Sequence, residues 1–239
     1  MIKKYNVIGD VHGKDVKKYI KEGYINIFVG DYFDPYDAIP FEEMKNNFLY
    51  LMDEKMKNPD NIILLYGNHD FHYIVNGERY SRYNNMYAND IRQLFQEFDD
   101  LFYGICYNAS GRIVSHAGIT NLWLKCKGID NYKSIDSLVE SVNNLWFDIP
   151  NRYNNFSFAY NGDLYDYYGT SPQQSPLWVR AQTISDLDFD YPQIVGHTRF
   201  NDIVEWGDTV GLGQYNWKKY VFVDCLDAID KTYTFEVEE

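Results

Sequence analysis

Thiols are scarce: Cys106, Cys126 and Cys225 are the only cysteines in 239 residues. Their odd number, wide spacing and lack of a Cys-x-x-Cys pair give no disulfide framework and no cysteine-built zinc site, and they fit a reducing compartment. Positive charge is also short. Against 35 Asp and Glu stand 22 Lys and Arg, a formal net charge of −13. A surface tracking nucleic-acid phosphates needs clustered Lys and Arg, so no extended nucleic-acid binding is expected. No apolar run approaches the roughly 20 residues that cross a bilayer. Two lysines followed almost at once by a strand leave no room for a cleavable apolar segment. The expectation is a soluble, cytoplasmic protein without membrane partners. No repeat or low-complexity linker divides the chain, which reads as one domain over 1–239.

Tyrosine is abundant, with 23 in the chain. We read this as a compositional bias that fills half-exposed positions rather than as a base-stacking surface.

Apolar periodicity predicts strands at Tyr5–Ile8, Ile25–Val29 and Ile62–Leu65, and helices at Lys14–Glu22 and Phe41–Lys57. Further on it predicts a helix at Ile91–Phe98, strands at Leu101–Tyr107 and Arg112–Val114, and a helix near Ile135–Leu145. Ile194-Val195, Lys219–Val223 and Thr232–Val237 complete the strands. Strand, loop and helix alternate, which is the mark of a βαβ framework whose ligands gather beyond the carboxyl ends of its strands. From about 121 to 190 the pattern becomes Tyr-, Asn- and Gly-rich and reads as a cap insertion.

Histidine is rare as well, and four of the five lie in glycine-bearing motifs: Gly9-Asp10-Val11-His12-Gly13, Gly67-Asn68-His69-Asp70, Ser115-His116-Ala117-Gly118 and Gly196-His197-Thr198. Between the first two stands Gly30-Asp31-Tyr32-Phe33-Asp34. Carboxylate and amide oxygen mixed with imidazole nitrogen on tight turns is the donor set of a dinuclear transition-metal site. The fifth, His72, matches no ligand position and is assigned to a helix or cap surface.

This ordered set closely resembles the motifs of the calcineurin-like metallophosphoesterase superfamily. The resemblance implies an α/β fold, a four-layer α/β/β/α sandwich with two metals at its edge. It implies Asp10 and His12 on one metal, Asp31 bridging, and Asn68, His116 and His197 on the other. It also implies His69 as proton donor to the leaving oxygen and Asp34 as the carboxylate that orients it. Mn, Fe and Zn all suit the imidazoles, and the ligands do not choose among them.

Gly196-His197-Thr198-Arg199 lacks the Gly-His-x-His ending of many nucleases and phosphodiesterases of this fold. It resembles instead the branch of phosphoprotein phosphatases and symmetrical diadenosine tetraphosphate hydrolases. Ser175-Pro176-Leu177-Trp178-Val179-Arg180 is similar to a segment of bacterial and phage members, whose arginine clamps phosphate, so Arg180 and Asn68 are the implied phosphate contacts. One departure stands out. That branch continues its second motif as Asp-Arg-Gly, with the arginine on phosphate, whereas Asp34 here precedes Pro35-Tyr36. Arg180 acts alone, or Arg199 substitutes, or Arg199 is a solvated surface residue. The expected activity is phosphomonoester hydrolysis on a phosphoprotein or small phosphorylated metabolite. The alternatives are a dinucleoside polyphosphate hydrolase, a phosphodiesterase and a silent binding module. Oligomeric state is not legible.

Overall fold

Neighbouring residues on the central strands enter different cores, and this period of two sets the layering. The computed structural model describes residues 1–75, 77–158, 170–185, 189–212 and 215–238. Among them the order is β1 (Ile2–Ile8), β2 (Ile25–Phe28), α1 (Phe41–Lys57), β3 (Ile62–Leu64), α2 (Asn68–Ile74) and α3 (Ala88–Glu97). Then follow β4 (Cys106–Ala109), β5 (Arg112–Ser115), α4 (Asn121–Cys126), α5 (Ile135–Phe147), α6 (Arg152–Phe156) and α7 (Ala181–Ser185). Last come β6 (Gln193–Val195), β7 (Val204–Leu212), β8 (Tyr215–Phe222) and β9 (Tyr233–Glu238).

The strands form two sheets, ordered β3-β2-β1-β9 and β4-β5-β6-β8-β7. Their centres are parallel, and β9, β4 and β7 run antiparallel at the edges. Val7, Ile27 and Ile63 of the first sheet share one buried cluster with Val114, Ile194 and Val221 of the second, so the sheets pack face to face. Their neighbours Ile8, Phe28 and Leu64 point the other way, into a core with Phe48, Leu51 and Met52 of α1 and Leu94 and Phe95 of α3. Across the molecule Ala181 and Ile184 of α7 cover Val195, Tyr220 and Phe222. The mixed α/β fold of two sheets with flanking helices is therefore as expected from the motifs.

Several local expectations need correction. Lys14–Glu22 forms only a 3-10 turn at Lys17–Tyr19, because Val16 and Tyr19 alone supply a single turn's buried contacts. Leu101–Tyr107 is not continuous strand: a 3-10 turn ends at Leu101 and β4 begins at Cys106. The expected Ile91 helix begins at Ala88. Tyrosines are not confined to half-exposed places, since Tyr5, Tyr32, Tyr66 and Tyr73 are fully buried. Within 121–190, α5 buries Leu138, Val142 and Trp146 in the main core, while positions 159–169 and 186–188 lie outside the described residues. No helix among the described residues is long and apolar enough to cross a membrane.

Candidate active site

Parallel strands release their chains at a common edge, and the motifs lie there. Asp10 follows β1, Asp31 follows β2, Asn68 follows β3, His116 follows β5 and His197 follows β6. All of these side chains are buried, as are His12, Asp34 and His69. The turns are glycine turns for a steric reason: a Cβ on Gly67 would sit 2.2 Å from Asp31 Oδ1, and one on Gly196 would sit 2.2 Å from Asp10 Oδ1. Non-glycine residues with positive φ among the described residues are His12, Asp31, Asp34, Arg82, Ser110 and His197. All but Ser110 belong to this site, each holding strain of about 1–3 kcal/mol that the surrounding structure must sustain.

The imidazoles are oriented by backbone carbonyls, which can only accept. His12 Nδ1 donates to Phe33 O at 3.1 Å, His116 Nδ1 to Val29 O at 3.0 Å, and His197 Nε2 to Trp178 O at 3.1 Å. Each opposite nitrogen is thereby left as a lone pair facing inward, the usual outer-sphere arrangement for a metal ligand. His116 Nε2 and His197 Nδ1 lie 3.2 Å apart, and Asn68 Oδ1 is 2.7 and 2.9 Å from them. Three acceptors so close, with no donor between them, repel one another unless a cation sits among them. Asp31 Oδ2 faces both halves of the cluster, 3.8 Å from His12 Nε2 and 3.7 Å from His116 Nε2. Asp10 Oδ2 is 4.0 Å from His12 Nε2. The donor set fits metal cations, and Asp10, Asp31 and His116 are close enough to share one.

Electrostatics agree. Burial, with neighbouring carboxylates, drives Asp10 and Asp31 well above the usual carboxylate range. It pushes His12 and His197 well down and His116 down to about 3. A cation reverses the carboxylate shifts and is compatible with the neutral imidazoles.

Beside this cluster, Asp34 Oδ2 accepts from His69 Nδ1 at 2.8 Å. His72 is the clearest correction. It is buried, not at a surface, and its Nε2 lies 2.7 Å from the same Asp34 oxygen, while Tyr80 N–H donates to its Nδ1 at 3.3 Å. Tyr73 Oη donates a short hydrogen bond to Asp34 Oδ1. Burial pushes the Asp34 carboxyl up, but the contacts of His69 and His72 outweigh it and hold Asp34 below the ordinary carboxylate range.

Sequence reasoning missed three further residues. Asp70 accepts from the backbone N–H groups of Asp31, Tyr32 and Gly67 at 2.8, 2.9 and 2.7 Å, which ties two motif loops together. Asp224, just past β8, is buried beside Asp10, and burial pushes it up to about 7. Arg82 donates from Nη2 to His69 Nε2 at 3.0 Å. The Gly-Asn-His-Asp motif named Asp70's position, but no spacing rule points to Asp224 or Arg82. Arg180 donates to His197 O at 2.9 Å. Arg199 is exposed and stacks on Tyr36. Above the cluster is a cavity of about 500 Å³ walled by Arg79, Arg82 and Arg180 and by Tyr36, Tyr80, Phe158 and Trp178.

A sequence model described as calcineurin-like phosphoesterase matches residues 3–199. Among solved structures, the cold-active protein-tyrosine phosphatase of a psychrophilic Shewanella species aligns at TM-score 0.59 and 17% identity, over 100% of this chain and 76% of that one. A second structure, of a cold-active protein tyrosine phosphatase, aligns at TM-score 0.57 and 18% identity, over 100% and 74%. A search of the curated proteins found no match.

Asp70→Ala leaves three buried N–H groups without their acceptor. At about 1–3 kcal/mol for each unsatisfied donor, urea unfolding in the presence of a chelator should show a loss of roughly 3 kcal/mol or more. An unchanged midpoint would mean that Asp70 does not hold the loops.

Proposed function

As the chain belongs to the calcineurin-like phosphoesterase family, we propose that it is a dinuclear-metal-dependent phosphatase that hydrolyses phosphomonoesters of a phosphoprotein or a small phosphorylated metabolite. The observation that carries this reading is the converging acceptor cluster beneath a cavity walled by guanidiniums. Asp10, His12 and Asp31 would hold one cation, and Asp31, Asn68, His116 and His197 the other, with Mn, Fe or Zn all compatible. Such cations supply Lewis acidity and a water acidic enough to attack near neutral pH.

The chain's own side chains divide the remaining work. Asn68 and Arg180 bind phosphate oxygens, and the fork of Arg180 suits that geometry. His69 delivers a proton to the leaving oxygen, with Asp34 fixing its Nδ1. Burial pushes His69 down to about 4. A phosphate dianion beside Nε2 favours the imidazolium, so proton loading follows substrate binding. Of the segment expected to be a cap at 121–190, the part that covers the site of this single domain is that of Phe158, Trp178 and Arg180, which stand in the cavity wall. The free thiols of Cys106, Cys126 and Cys225 support a cytoplasmic setting.

Position 199, where diesterases of this fold carry a metal-binding histidine, is an exposed arginine stacked on Tyr36. This favours monoesters. A second reading, dinucleoside polyphosphate hydrolysis, draws support from the packed rings of Tyr80, Phe158 and Trp178, which could stack a base.

With Mn added, p-nitrophenyl phosphate should be hydrolysed faster than bis-p-nitrophenyl phosphate, with diadenosine tetraphosphate run alongside. Faster diester turnover would overturn the phosphatase assignment. His69→Asn should keep its metal and lose roughly a hundred- to ten-thousand-fold in turnover. The loss should be larger for phosphoserine than for a phenolate ester, whose leaving group needs little protonation. Equal loss on both esters, or loss of metal, would remove His69 from the proton-donor role.

A further inference from the structure

The second motif lacks its expected phosphate ligand: Asp34 is followed by Pro35, which has no donor side chain, and then by Tyr36. A guanidinium nevertheless reaches this place from another part of the chain. Arg82, in the connection between α2 and α3, donates from Nε to the backbone oxygen of Asp34 at 3.0 Å and from Nη2 to His69 Nε2 at 3.0 Å. We propose that Arg82 is the phosphate-binding guanidinium that replaces the missing arginine, and that with Arg180 it makes the site select a dianionic phosphate.

Three features separate this role from a chance contact. First, Arg82 is locked in place. Its φ is +64°, and its Cζ lies 3.6 Å from the Tyr36 ring centroid. Arg199 Cζ lies 4.0 Å from the same centroid. Tyr36 packs against both guanidiniums. Tyr36, which stands where the Asp-Arg-Gly motif of the resembled branch has its glycine, thus braces Arg82.

Second, the other cationic candidates are otherwise engaged or placed. Arg79 also lines the cavity, but its Nη1 donates to Asn85 Oδ1 and its guanidinium lies 5.2 Å from the Tyr83 ring centroid. Arg199 is exposed and does not line the cavity. Third, the contact with His69 places Arg82 where the leaving oxygen and the phosphoryl oxygens would meet. When His69 Nε2 takes up its proton it can no longer accept from Arg82, which frees Nη2. With Nε still on Asp34 O, four of the five N–H donors of the guanidinium are left for phosphate, and the planar fork suits two phosphate oxygens at once. A monoester dianion carries one more negative charge than a diester, so a second guanidinium rewards the monoester selectively.

The inference rests on the phosphatase reading, and binding of inorganic phosphate to the metal-loaded protein tests it without turnover. Arg82→Ala should raise the phosphate Kd roughly ten- to hundredfold, the worth of a charge-assisted hydrogen-bonded pair. Arg82→Lys, a point charge without the fork, should fall between. Metal content and urea midpoint should stay near wild type. Arg82→Gln, which can keep the bond to Asp34 O, should lose phosphate affinity like the alanine variant, and it remains informative if the alanine variant fails to fold. On p-nitrophenyl phosphate the variants should raise KM, and the monoester-to-diester ratio of kcat/KM should fall. A phosphate Kd within twofold of wild type in a folded, metal-loaded Arg82→Gln protein would overturn the proposal and leave Arg82 as a brace for His69 and Asp34. If the wild type hydrolyses no phosphomonoester, the phosphatase reading fails by itself, and the phosphate Kd still decides the role of Arg82.

Discussion

Lone pairs brought together without a donor are the constraint around which this edge of the molecule is arranged. His116 Nε2, His197 Nδ1 and Asn68 Oδ1 point at one another because carbonyls of Val29 and Trp178 occupy the far side of each ring. Holding such a cluster demands close backbone approach and unusual φ, which is why glycine turns and left-handed His12, Asp31 and His197 converge there. The two packed sheets make this possible, since each ligand hangs from the end of a strand that is itself buried on both faces. Repulsion among the ligands is thus sustained by the hydrophobic layers beneath them.

The charge pattern of the cavity is mixed. Carboxylates Asp10 and Asp31 and the imidazoles of His69 and His197 line it together with the guanidiniums of Arg79, Arg82 and Arg180, and Asp224 is buried beside Asp10. In a chain with net charge −13, that local concentration of Arg gives an anion a place to sit. Under the proposed function, a phosphate would lie between this cationic wall and the cations held by the floor.

What was legible in the sequence was whatever lies within a few residues of its partner. Asp10 with His12, Asp31 with Asp34, and Asn68 with His69 each share one turn, and strand ends carry them to the same edge. Asp34's anchors were half visible. His72 and Tyr73 follow the motif closely, but a histidine outside any ligand pattern gives no sign that α2 will turn it inward. Helix α2 itself was hidden, because Asn68 and His69 read as loop ligands although they form its first turn. Strand β7 was disguised by Gly207, at φ +85° beside a register shift between Trp206 and Thr209. Arg82 was out of reach altogether, since it meets Asp34 from 48 positions away through a path that only packing determines.

The central claim is that the converging acceptors hold two cations bridged by Asp31. Anomalous diffraction from crystals grown with manganese tests it most directly. The account predicts two peaks flanking Asp31, one toward Asp10 and His12 and the other toward Asn68, His116 and His197. The side chains of Asp34, His69 and His72 also lie close enough together to hold an ion. A single peak there, with none beside Asp31, would contradict the account.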